Sequence, residues 1–157
     1  MGLSNNAIAS SSDLLSESAF EWYADLVRIG PKKLVLFTHA TTLFGVVALD
    51  VSRTEIRSLD ALLRDRLPAL LLRLDISPQI LDRWGTESLY TTTASRQVLG
   101  SMNEQIRSLK FYITQAGGIE RCDEVEISLW LSGMILSAVN YDKLSERFKA
   151  FLTRLAQ

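Results

Sequence analysis

Residues 34–51, LVLFTHATTLFGVVALDV, constrain the fold more than any other stretch. They are dense in β-branched and aromatic side chains, which suit a pleated, half-buried surface. The pattern predicts strands over 33–38 and 43–50, joined through THATT. Just upstream, EWYADLVRI (21–29) alternates as a strand does, with Trp22, Ala24, Leu26 and Arg28 on one face. GPKK at 30–33 supplies the turn, Pro31 fixing its backbone. Links this short cannot carry parallel crossovers, so the three segments form an antiparallel meander.

The rest of the chain supplies cover for that sheet. Ser52 followed by Glu55 is a capping-box pattern and opens a helix over 52–76. Ile56, Leu59, Leu63, Leu67, Leu70 and Leu74 follow helical spacing there, while Pro68 is expected to kink or divide the run. Ser77 and Pro78 begin a second helix, which Gly85 ends. ESLYTTTASR (87–96) reads as a fourth strand, and QVLGSMNEQIRSLKFYITQA (97–116) as a helix stopped by Gly117 and Gly118. Asp123 caps a helix over 123–139. YDKLSERFKAFLTRLA (141–156) is amphipathic, with Leu144, Phe148, Phe151, Leu152 and Leu155 inward. The class is α+β: a small antiparallel sheet, a three-strand meander plus a fourth strand, packed by about five helices.

Composition narrows the function. At 157 residues the chain reads as one domain over 19–157, preceded by a Ser- and Asn-rich arm at 1–18 that is expected to be flexible. Cys122 is the only cysteine, so no internal disulfide forms and a reducing, cytoplasmic compartment fits best. His39 is the only histidine, which excludes a multi-histidine metal site. Seventeen Lys and Arg against eighteen Asp and Glu leave a net charge of -1, so bulk charge does not favour nucleic acid. No apolar run approaches a membrane span; LPALLLRL is short and contains Arg73. The start lacks the basic and apolar regions of a secretory signal, and Asn6 sits where a myristoylation signal needs Ser or Thr.

A wider pattern runs through Trp22, Tyr23, Ala24 and Leu26, the LVLF and TL of the hairpin, and TASRQVLGSMNE at 93–104. It resembles an uncharacterised bacterial domain family of unknown function. Members of that family carry a W-Y-A-N-L strand and a T-x-R-x-V-L-G-S-M-N segment. The likeness runs from Trp22 to Met102, over half the chain, and LGSMN is its specific part. Asp25 stands in place of the family's Asn, Ser95 in place of the Asn before Arg96, and Glu104 in place of Asp. The Ser-rich arm also replaces the basic first strand that members often have. The resemblance implies a bacterial accessory or mobile-element setting and brings no catalytic activity.

Arg96, Ser101 and Asn103 surround Gly100 at an expected helix start, where free N–H groups and the helix dipole can hold an anion. The same residues can instead cap a tight strand-to-helix join, with Gly100 allowing close packing, and that reading is preferred. THATT offers Thr38, His39, Thr41 and Thr42, but a nucleophile there lacks a third group to orient the imidazole. Arg53, Arg57, Arg64 and Arg66 could face nucleic acid, yet Asp60 and Asp65 interleave with them and favour local ion pairs. Asp13, Glu17, Glu21 and Asp25 have no metal-ligand spacing. Walker, Rossmann and zinc-ligand patterns are missing from the sequence, so no catalytic residue, metal or cofactor is expected.

ISLWLSGMILSAV is apolar almost all round, which calls for a central position or a covering partner. Trp130 and Met134 are therefore candidate partner-binding residues, with a homodimer seam as an open alternative. The sequence points to a non-enzymatic protein acting through protein–protein binding, at this helix or at an exposed sheet edge. A nucleic-acid or phosphate-ligand module using Arg96, Ser101, Asn103 and the Arg53/Arg57 face is the alternative, with Thr41 a further candidate ligand-binding residue, and no membrane partner is expected.

Overall fold

A computed structural model of the chain describes residues 21–83, 96–134 and 143–156. The arm at 1–18 lies outside these residues, as do 87–95 of the expected fourth strand.

The meander forms as its links require. Strands β1 (Trp22–Ile29), β2 (Lys32–His39) and β3 (Gly45–Ala48) make one antiparallel sheet in the order β1-β2-β3. Trp22 lies opposite His39 and Ile29 opposite Lys32, so β1 and β2 pair over their full length. Gly45 to Ala48 lie opposite Thr38 to Val35. β3 is shorter than the 43–50 run because Leu43 turns the chain, with φ of 66°.

The sheet is covered on both faces, where half-burial was expected. Val35, Phe37, Val46 and Ala48 belong to one hydrophobic core, and Leu34, Leu36 and Val47 to a second. Successive residues of a strand point to opposite faces, so an unbroken apolar run is what a doubly covered strand needs. β2 is accordingly buried from Leu34 through His39.

Helices α1 (Arg53–Arg57) and α2 (Leu59–Arg73) supply one cover. Ser52 caps α1 with the full capping box: its Oγ accepts from the Glu55 N–H while the Glu55 carboxylate accepts from the Ser52 N–H. The expected division falls at Ser58, whose backbone leaves helical geometry, and α2 continues through Pro68. The buried Leu62, Leu63, Leu67, Leu70 and Leu71 lie on both sides of Pro68. Their packing outweighs the roughly 3 kcal/mol that an internal proline costs a helix. Residues Pro78–Arg83 form a 3₁₀ turn in place of the α-helix read from Ser77 and Pro78.

α3 (Arg96–Ala116) has the inner stripe Val98, Ser101, Met102, Gln105, Leu109 and Ile113, with Val98 and Met102 in the first core and Leu109 and Ile113 in the second, which covers the other face. Arg96 is helical, so the strand read over 87–96 does not reach it. Gly117 and Gly118 stop α3 with φ of 97° and 121°, and both amides return to the Ile113 carbonyl. After a short 3₁₀ turn at Ile119–Arg121, Asp123 caps α4 (Glu124–Ser132) by accepting from the Glu126 N–H. α4 ends before Gly133, short of the 123–139 expected, and 135–142 lie outside the described residues. α5 (Leu144–Ala156) packs Leu144, Phe148 and Leu152 into the first core.

α4 also closes one edge of the sheet. In the pairing of β2 with β3, the Val47 N–H and C=O point away from β2. The Ser128 hydroxyl takes both, accepting from the N–H at 3.0 Å and donating to the carbonyl at 3.5 Å. The Leu49 N–H donates to the Glu124 carboxylate at 2.7 Å. A sheet edge expected to be free for a partner strand is therefore occupied along β3 by this chain's own helix.

Candidate functional site

The THATT turn was a candidate nucleophile loop, and the structure makes it a packing hub. His39 is buried and its Nδ1 lies 2.9 Å from the Thr42 hydroxyl. The Thr42 N–H also donates to Nδ1, so that nitrogen serves as an acceptor within the turn. Trp22, Phe148 and Phe151 meet the imidazole edge-on at 5.0, 5.4 and 4.8 Å between ring centres. Phe148 also stacks flat on Phe44 at 4.2 Å. Arg147 of α5 donates to the carbonyls of Thr41 and Thr42. The contacts made by Phe148, Phe151 and Arg147 fasten the hairpin to α5.

Gln105 was not singled out from the sequence, yet it completes the hub. It is fully buried, accepts from the Thr38 hydroxyl at 2.9 Å and donates to the Leu43 carbonyl at 2.9 Å. Leu43 holds a left-handed conformation that costs a non-glycine residue on the order of 1 kcal/mol. The bond from Gln105 and the burial of the leucine side chain hold it there. One signal was available: Gln105 is a polar residue at a core position of the stripe through Val98, Met102, Leu109 and Ile113.

The four expected ligand-binding residues do not share one surface. Ser101 lies in the second turn of α3 and is buried against the core, while Arg96 and Asn103 are exposed. Seven residues separate Arg96 from Asn103, two helical turns, so they share the outward face. Ser101 points the other way. Thr41 is exposed on the hairpin turn, with its carbonyl held by Arg147. Gly100 faces open space, so it does not mark a close packing contact.

Two arginines of α2 are held in ion pairs. Arg66 pairs with Glu55 at 2.8 Å, with Glu124 at 2.8 Å and with Asp65, and Arg73 pairs with Glu126 at 2.9 Å. Burial opposes the charge on Arg66, but the carboxylates of Glu124, Glu55 and Asp65 outweigh it and push its pKa up. The Ser52 N–H, followed by Arg66, holds the Glu55 carboxyl below its usual range against a smaller cost of burial. The expectation of local pairs holds for Asp65. The pair with Glu124 reaches from α2 to α4 and could not be read from helical spacing.

Trp130 and Met134 were the expected partner-binding residues. Trp130 is 40% exposed and rests against Tyr112 of α3 with ring centres 4.8 Å apart. Met134 is half-buried and packs against both cores. Beside Tyr112 lies Phe111, 65% exposed, and Leu99 is also open on α3. The sequence reading missed Phe111 because apolar residues on a helix are assumed to face inward.

A groove of about 650 Å³ lies between the 3₁₀ turn and α5, lined by Ile76, Ile80 and Leu152 together with Asp75, Asp82 and Lys149. It holds none of the residues expected from the sequence to form a site. Among the described residues no three His, Cys, Asp or Glu gather as metal ligands, and no helix is long and apolar enough to cross a membrane. Cys122 is half-buried, with its thiol pushed up by burial and by Glu120.

Fold and surface together define a small α+β protein with helices on both faces of a three-stranded sheet and an aromatic helix face turned outward. The chain belongs to a domain family of unknown function, DUF6933, whose profile matches residues 2–147. No curated protein matches it.

Proposed function

We propose that this chain is a non-enzymatic binding protein that works by protein–protein contact through the α3–α4 face. The supporting observation is the pair of open aromatic residues on neighbouring helices: Phe111 at 65% exposure, and Trp130 at 40% resting on Tyr112. Large aromatic side chains left in water are costly, and patches of them mark interaction sites. A bacterial accessory or mobile-element setting is part of the proposal and rests on the sequence pattern alone.

The test is a pull-down from native lysate with wild type, Phe111→Ser and Trp130→Ala, all checked for fold by circular dichroism. A protein retained by wild type and lost from both variants supports the reading. Retention unchanged in both variants sinks it. A second copy of the chain on this face would show as a dimer in sedimentation that both variants dissolve.

The second reading is a nucleic-acid or phosphate-ligand module. Its support is that Arg96 and Asn103 share the outward face of α3 with Arg107 and Lys110. Oligonucleotide binding that falls steeply with salt and survives Phe111→Ser would favour it.

A further inference from the structure

We infer that the partner's contacting segment is an acidic, amphipathic stretch of protein that lies along α3. This deepens the binding reading above and rests on it.

The first observation is where positive charge is left over. In the ion pairs of the described residues the cations are Lys32, Arg66 and Arg73. Arg96, Arg107 and Lys110 are exposed and make no ion pair among the described residues. They are the three cations of α3, whose one carboxylate is Glu104. The helix therefore carries two surplus positive charges in a chain whose net charge is -1.

The second observation is their alignment. At 100° per residue, Arg96, Arg107 and Lys110 fall within about 40° of the direction opposite Gln105, the centre of the buried stripe. Leu99 and Phe111, 50% and 65% exposed, lie about 120° from Gln105 on either side of that basic line. The face thus presents a row of cations between two apolar margins. Half-buried Glu104 sits beside Phe111 at one margin.

Magnitude separates the two polyanions that could lie here. From Arg96 to Lys110 is about 21 Å at 1.5 Å per residue. Duplex DNA carries about one charge per 1.7 Å, roughly twelve over that span, against three cations. An amphipathic acidic helix offers about one carboxylate per 5.4 Å turn on a given face, or roughly four, together with apolar side chains for Leu99 and Phe111. The second count matches the face.

The probes are a labelled peptide of about fifteen residues with Glu and Leu on opposite helical faces, the same peptide with Lys for Glu, and a duplex oligonucleotide. Each is titrated by fluorescence anisotropy against wild type, the Arg107→Glu/Lys110→Glu double variant, and Phe111→Ser. All three substituted residues are exposed, and melting curves verify the fold. The expected result is that the acidic peptide binds wild type, loses at least tenfold in affinity to the double variant, and also weakens with Phe111→Ser. Equal binding of the two peptides, no effect of the charge reversal, or no peptide binding overturns the inference. Tighter binding of the oligonucleotide than of the acidic peptide overturns it as well. The peptide results leave the binding reading itself standing, which fails if the lysate partner survives Phe111→Ser and Trp130→Ala.

Discussion

Thr38 and Gln105, 67 residues apart in sequence, meet in a buried side-chain hydrogen bond of 2.9 Å that ties the middle strand to helix α3. The other end of the Gln105 amide holds the Leu43 carbonyl at the strained corner of the β2–β3 hairpin. One side chain therefore satisfies two groups with no access to water.

Replacing Gln105 by Leu keeps the volume and removes both bonds. A buried donor or acceptor left unpaired costs about 1–3 kcal/mol, so the variant is expected to lose about 2–4 kcal/mol in urea unfolding. Adding Thr38→Val should recover part of that loss, because the orphaned hydroxyl goes with it. A Gln105→Leu protein within about 0.5 kcal/mol of wild type would show that the clasp is incidental.

Gly45 should tolerate no side chain. A Cβ there would sit 2.7 Å from the Leu131 Cδ2 and 3.3 Å from the Gln105 amide nitrogen. Gly45→Ala is expected to cost about 1–3 kcal/mol, the range for overpacking a tight core. If Leu131 is the obstacle, the same substitution in a Leu131→Ala background costs less, and a thermal double-mutant cycle reads the difference. Additive losses would place the strain elsewhere.

These two positions mark how far the sequence could be read. The strands were legible because alternation and turn chemistry are local and the links around 30–33 and 40–44 are too short for any other pairing. Coverage of both faces was not, since it depends on helices that follow later in the chain, although the unbroken LVLF of β2 carried the hint. The break at Ser58 rather than Pro68 shows the same limit: proline's local cost was set against leucine packing that only the fold reveals. Of the candidate site, Trp130 was legible from an over-apolar helix. Phe111 was not, because nothing local says that an aromatic residue on a helix stays in water.

Ser128 is expected to guard the β3 edge. Its hydroxyl serves both the N–H and the carbonyl of Val47, which point away from β2. Ser128→Ala should cost about 1–2 kcal/mol and leave an edge strand open to pairing with other chains. Urea unfolding measures the first effect, and light scattering near the unfolding midpoint measures the second. Unchanged values for both would mean that water replaces the hydroxyl without loss.

Stability should fall in acid partly through Glu55. The Ser52 N–H and then Arg66 stabilise its ionised form, so its pKa in the folded chain lies below the ordinary 4.5. The contribution is whole above that ordinary value and is lost as pH drops through the lowered native one. Because the pair is about a third exposed, solvent screening keeps the effect under about 1 kcal/mol. Melting temperatures followed from pH 6 to pH 3, a window about the Glu range, should fall less steeply for Glu55→Gln than for wild type. Parallel curves would assign the acid sensitivity to other carboxylates.

Cys122 should be a slow thiol while the chain is folded. Burial disfavours its thiolate, the Glu120 carboxylate adds to the effect, and the Sγ–H donates to the Gly118 carbonyl at 3.4 Å. Only the thiolate attacks an alkylating reagent, so a raised pKa lowers the rate at every pH below it. Iodoacetamide is therefore expected to label native protein more slowly than protein unfolded in urea at the same pH. Glu120→Gln removes the smaller of the two causes and should accelerate native labelling modestly, while leaving the unfolded rate unchanged. If native and unfolded chains react alike, then neither burial nor Glu120 governs this cysteine.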